Sequence, residues 1–139
     1  MSQHNVELQR RLTEAFNARN IETFIALCDP KIELHSITTP GGAVYYGHDG
    51  VRRLHQDLED AWEEIRLEAE AYFDLGEHTV MFGVFHGRGR QSGAEVAMPA
   101  AMVTRWRDGS LIYIRGYSQR EDALRDLGVS EDVLEPIAP

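Results

Sequence analysis

The chain has a single cysteine, Cys28, among its 139 residues, so it closes no internal disulfide and suits a reducing compartment. It has no run of about 18 apolar residues, which removes a membrane-spanning helix and a membrane partner from the expectations. Its start, Met1-Ser-Gln-His-Asn-Val-Glu, lacks the basic stretch and following apolar stretch of a secretory signal. A cytoplasmic location is therefore expected. Basic charge is also scarce, with 14 Lys plus Arg against 23 Asp plus Glu and a net charge of −9. Nucleic-acid binding calls for a basic footprint, and a surface this acidic repels polyanions. The cluster Arg88, Arg90, Arg105 and Arg107 reads more simply as a solvated sheet end than as a phosphate site. Repeats, linkers and low-complexity stretches are absent. What is present is 42% hydrophobic residues in one domain's length, enough for a real core. One domain is expected over 1–139, with a core from about 6 to 128 and a loose tail over 129–139.

Leu8, Leu12, Ala15 and Phe16 fall at helical spacing, with Gln9, Arg10, Glu14 and Arg19 between them. Asn20 can cap a second helix that stops at Asp29-Pro30. Short strands follow at Lys31 to Ile37 and Ala43 to Tyr46, separated by the turn-forming Thr39-Pro-Gly-Gly. Gly47-His-Asp-Gly leads into a third helix whose buried stripe is Val51, Leu54, Leu58, Trp62 and Ile65. Apolar stretches then run from Leu67 to Leu75, Thr79 to Arg88, Glu95 to Trp106 and Leu111 to Tyr117, as a meander. Asp108-Gly109 marks a tight hairpin. Ser118-x-x-Glu121 has the form of a capping box for a last helix that stops at Gly128.

This order of elements resembles the nuclear transport factor 2-like superfamily and, within it, the SnoaL-like branch. The resemblance rests on Ala26-Leu-Cys-Asp-Pro-Lys-Ile-Glu-Leu-His, Tyr46-Gly-His-Asp-Gly-Val-Arg, Trp106-Arg-Asp-Gly-Ser-Leu-Ile, and Tyr117 ahead of Glu121-Asp-Ala-Leu. It spans Val6 to Gly128. It implies an α+β fold: a cone-shaped half-barrel, with a curved mixed or antiparallel sheet packed on three helices and a short C-terminal helix. A deep pocket would lie between the concave face and the helices. Val80-Met-Phe-Gly-Val-Phe and Val96 to Val103 are apolar on both strand faces, whereas a sheet with one wet face alternates. A homodimer through the convex face is the expected partner for the second.

Fold alone does not select among ketosteroid isomerase, polyketide cyclases and limonene epoxide hydrolase. The resemblance puts the isomerase base position on His35, but its two oxyanion donors fall on Leu12 and Met102, which cannot donate. Losing one such donor costs about 10²–10³ in rate. The cyclase aspartate falls at Gly116. The hydrolase needs an Asp–Arg–Asp arrangement, and Arg120-Glu-Asp122 sits in the closing helix. None of the three activities carries over.

Histidines remain. His35 occupies the base position, His55 belongs to the third helix's buried stripe, and the resemblance places His86 on the concave side with Val80, Phe82 and Val84. Imidazoles there could transfer protons near neutral pH, with His35 as base helped by His55. They could equally be hydrogen-bonded core or rim histidines. His35, His55, His86 and Glu33 show no compact ligand spacing, so no metal or cofactor is expected. Cys28 reads as a buried helix residue. Trp62, Phe82, Met98, Met102 and Trp106 could line the concave side, with Tyr46 at the mouth. The expected ligand is a small apolar molecule. Two readings stay open: an isomerase- or cyclase-type proton-transfer enzyme, or a non-catalytic dimeric binding protein. A collapsed pocket serving dimerisation alone is a third.

Overall fold

In the computed structural model, which describes residues 3–39 and 42–139, the first apolar stripe forms α1 (Gln3–Asn17) and buries Leu8, Leu12 and Ala15. Asn20 caps α2 (Ile21–Ala26), its side chain accepting from the Thr23 amide at 3.1 Å. The strand β1 (Cys28–His35) starts three residues before the expected Lys31. It does so because Cys28 pairs with Leu111, and Pro30, which has no amide proton, falls in the irregular step between Cys28 and Glu33. Pro40 and Gly41 of the expected turn lie outside the described residues. β2 (Val44–Tyr46) pairs antiparallel with β1, and α3 (Gly47–Ala61) follows at once. The third helix stops sooner than its stripe suggests: Trp62 is extended and opens β3 (Trp62–Leu75), opposite Gly89. Ile65 is buried from the strand, not from the helix.

β3, β4 (His78–Gly89), β5 (Glu95–Arg107) and β6 (Ser110–Tyr117) form the meander. Asp108 and Gly109, at φ 51° and 79°, make the two-residue turn between the last two strands. The strand order is β2-β1-β6-β5-β4-β3, with β1 parallel to β6 and every other pair antiparallel. The sheet is curved and unclosed. α4 (Arg120–Leu127) starts after Gln119 without a side-chain cap, so the expected capping box does not form; Gly128, at φ 69°, ends it. No helix among the described residues is long and apolar enough to cross a membrane.

The concave face carries Leu34, Ile65, Phe85, Ala100, Trp106 and Ile114, packed against the first three helices. The opposite face carries Phe73, Val80, Phe82, Ala101 and Val103, packed against Tyr117 and α4. Part of the second apolar face is thus covered by the chain's own closing helix. The tail is also held: Ile137 exchanges backbone hydrogen bonds with Tyr72 at 2.9 and 2.7 Å along the outer edge of β3. It is paired rather than loose, since an edge strand's free amides and carbonyls accept any extended segment within reach.

Asn17 closes another stretch of that edge. Its Nδ2 donates to the Leu67 carbonyl at 2.9 Å, and its Oδ1 accepts from the Leu67 amide at 2.8 Å. One side-chain amide therefore satisfies both free backbone groups of Leu67 and fastens the end of α1 to the sheet. Asn17→Ala leaves both unpaired and is expected to lower stability by about 1–3 kcal/mol. Asn17→Asp, which can only accept, should also be destabilised. Urea unfolding checks both, and an unchanged midpoint in Asn17→Ala would refute the assignment.

Candidate functional site

Between the helices and the concave face lies a hollow of about 660 Å³, counting its open mouth. Only a small share is wide enough for water to move in, so it is a narrow slot. Successive turns of α1 supply Gln9, Leu12, Thr13 and Phe16, which share one face at helical spacing. Phe24 comes from α2, and Leu54 and Leu58 from α3. The floor is Leu34, Leu67, Phe85, Ala100, Met102 and Ile114, and the segment from His35 to Thr38 forms one side. Asp, Glu, Lys and Arg are absent from the described lining.

His35 borders the hollow, yet its imidazole is directed elsewhere. Nε2 lies 2.5 Å from Glu33 Oε2, and the ring stands 5.4 Å from that of Tyr113. Glu33 and Tyr113 are register partners, and both border a shallow groove with Val103 and Arg105 on the convex face. Leu34 takes the inward position that the resemblance gives to His35.

His55 is buried at 4% exposure, one layer behind the lining. Its ring meets Phe24 edge-on at 5.0 Å and Phe16 at 6.3 Å. Nδ1 lies 2.9 Å from the Val51 carbonyl and so carries the proton, while Nε2 has no partner among the described residues. Burial holds this imidazole below the usual histidine pKa, against the Val51 bond and with help from Arg19.

The other sequence-derived candidates separate. Met102 lines the hollow. Trp62 stands behind it, Nε1 donating to the Thr38 carbonyl at 2.8 Å and the ring 5.2 Å from Phe85. Met98 packs on the core beside Phe85, and Trp106 is fully buried with Nε1 donating to Thr104 at 2.9 Å; neither lines the slot. Phe82 and His86 do not belong to the hollow. They lie on the convex face, Phe82 under α4 and His86 2.8 Å from Glu68. The concave positions of β4 are Met81 and Phe85, one residue out of step with the expected parity. Tyr46 is 66% exposed on the edge strand; its neighbour Tyr45 turns inward, its hydroxyl donating to Asp57 at 2.6 Å.

Gln9 falls among the polar residues of α1 in the sequence pattern, yet it is 1% exposed and belongs to the lining. Its spacing to Leu12 and Phe16 was the available signal. Burial pushes the Cys28 thiol up to about 12, so it stays protonated and is no nucleophile at neutral pH. Among the described residues no three His, Cys, Asp or Glu side chains gather as a metal site.

A curved sheet packed against helices around an internal slot defines the class of α+β cone folds. Residues 9–114 match the family model for the SnoaL-like domain, and the chain belongs to that family. The fold is similar to a nuclear transport factor 2-like protein of Burkholderia pseudomallei, at 22% identity and TM-score 0.75 over 90% of this chain and 97% of that one. It is also similar to a protein of ketosteroid isomerase-like fold from Catenulispora acidiphila, solved in complex with trimethylamine: 17% identity, TM-score 0.74, 91% and 95% covered. A third likeness is TerC, co-crystallised with polyporic acid, at 19% identity and TM-score 0.74, with 88% and 96% covered. No curated protein matches the chain by sequence.

The buried imidazole gives an acid-stability prediction. Unfolded His55 takes up a proton near pH 6.5, whereas folded His55 does so only lower. Between those values the unfolded chain binds more protons, so this contribution is full above about pH 6.5 and is lost as pH falls below it. His55→Phe, placed between Phe16 and Phe24, should lose less of its urea midpoint between pH 7 and 5.5 than wild type. His78, also lowered by burial, acts alike in both proteins and cancels in the comparison. Parallel pH curves would refute the role of His55.

Proposed function

We propose that the chain is one SnoaL-like domain that acts in the cytoplasm and binds a small, mainly apolar molecule in this slot without transforming it. The carrying observation is the lining: among the described residues it holds no Asp, Glu, Lys or Arg, and its histidine, His35, directs its imidazole at Glu33. Leu12 and Met102, where the isomerase keeps its oxyanion donors, both border the slot and offer only apolar surface. A Cβ at Gly116 would come within 3.0 Å of Ile37 and 3.3 Å of Met102. The position that the resemblance gives to the cyclase aspartate is thus on the same face as Met102, and a glycine there offers no acid or base. The trimethylamine and polyporic acid held by two proteins of this fold support small organic molecules as its cargo.

One observation favours a second reading, proton transfer by His35 with help from His55. The Glu33 carboxylate beside His35 Nε2 is the kind of partner that orients a general base. The ring would have to swing inward past Leu34 to act.

Mass spectrometry of the native protein, after gentle purification, identifies what it carries. The expected result is a small apolar molecule that returns chemically unchanged after incubation. His35→Gln should bind it within about twofold of wild type, and Ala100→Leu, which narrows the floor, should weaken binding at least tenfold. Conversion of the molecule by wild type, lost in His35→Gln, would replace the first reading by the second.

The partner is a second copy, seated on the part of the convex face that α4 leaves open. Val84, Ala97 and Pro99 lie there beside the Glu64–Arg88 and Glu68–His86 pairs. Sedimentation should give a dimer at micromolar concentration, with Pro99→Lys shifting it towards monomer. A monomeric wild type would overturn this.

A further inference from the structure

Gln9 lies in a slot whose other polar side chains in the described lining, Thr13, His35, Ser36 and Thr38, are bonded within the chain, whereas its own hydrogen bonding is half complete. Nε2 donates to the Met102 carbonyl at 3.1 Å, which fixes how the amide is turned. Oε1 has no hydrogen-bond partner among the described residues, although the side chain is 1% exposed. A buried carbonyl left without a donor is costly, so such groups in folded proteins are almost always paired. The neighbouring lining cannot supply the donor. Leu12, Phe16 and Met102 have none, the Thr13 hydroxyl is committed to the Gln9 backbone carbonyl at 3.1 Å while accepting from Tyr72 at 3.2 Å, and the Ser36 and Thr38 hydroxyls pair with each other at 3.2 Å out of reach of Oε1.

From this we infer that Gln9 selects the ligand: an apolar skeleton bearing a neutral O–H or N–H donor, such as a phenol or alcohol, that pairs with Oε1. The inference rests on the binding role proposed above and names its chemical class. A carboxylate or phosphate is disfavoured because the described lining holds no Lys or Arg to offset the lost hydration. An ammonium is disfavoured for the converse reason, since the described lining holds no Asp or Glu. Met102, unbranched and adaptable, is the side chain that yields to let the donor reach Oε1.

Three probes of one shape separate the possibilities: 2-naphthol, its methyl ether 2-methoxynaphthalene, which lacks the donor, and 2-naphthoate. Dissociation constants are read on the full chain by NMR titration of the methyl signals. Wild type should bind 2-naphthol about five- to tenfold tighter than the ether, with the anion weakest. In Gln9→Leu the preference should fall below twofold while the ether is still bound. Gln9→Met serves if Gln9→Leu does not fold, and the wild-type comparison alone needs no variant. Equal affinity of naphthol and ether in wild type, or a preference that persists without Gln9, overturns the selector role and leaves the binding role standing. Failure of all three probes to bind overturns both.

Discussion

Side chains along a strand alternate between two faces with a period of two, and residues in register on neighbouring strands share a face. That constraint decides which part of this chain any ligand can meet. Leu34, Ile114, Thr104 and Thr79 lie side by side across four strands on the concave side, and Gly116, Met102 and Met81 do so across three. Their neighbours His35, Arg115, Val103 and Val80 take the other side. The register is held by a buried polar cluster: Thr79 and Thr104 hydroxyls at 2.5 Å, joined by Trp106 Nε1. A slip by one residue would bury Arg105 in place of Thr104 and strand those hydroxyls, a far larger penalty than any contact in the slot could offset.

This explains why the fold was legible in the sequence and the site much less so. Helices, hairpin and meander follow from local signals such as the Asn20 cap, the Asp108-Gly109 turn and the stripe of α3. Strand parity does not, because a strand apolar on both faces carries no mark of which side is inward. Val80 to Phe85 is such a strand, and the choice of Val80, Phe82 and His86 over Met81 and Phe85 fails by one residue. The irregular register between Cys28 and Glu33, and the bulge between Ala69 and Ala71, shift parity in ways a repeat of two cannot anticipate. Trp62 illustrates a different limit. Its spacing fits the helix stripe, and only pairing with Gly89, a contact distant in sequence, turns it into a strand.

The slot's chemistry follows from the side chains that line it. Acid–base catalysis needs a group that can exchange a proton at the reacting atom, and electrostatic catalysis needs a donor aimed at developing charge. Leu12, Met102 and Gly116 supply neither at the positions to which the resemblance assigns the isomerase's donors and the cyclase's aspartate. The ionisable groups nearby are diverted: His35 to Glu33, Tyr45 to Asp57 and Cys28 to the Phe24 carbonyl. What lines the slot is mostly apolar surface, with the Gln9 amide and the Thr13, Ser36 and Thr38 hydroxyls.

An apolar hollow tends to close, since each unfilled gap forfeits dispersion contacts and interiors pack to crystal density. Here the roof is held at fixed distances by directional bonds. Along α1, Gln9 reaches Met102 on β5, Thr13 meets Tyr72 on β3, and Asn17 clasps Leu67 on the same strand. Moving the helix inward would break those hydrogen bonds in a nearly dry environment, where each lost partner leaves a buried polar group unpaired. The polar residues of α1 thus act as struts, and the slot stays open beneath a helix whose apolar stripe alone would have filled it. One of the struts, Gln9, has bonded only its donor half to the sheet, and its acceptor half has no partner among the described residues.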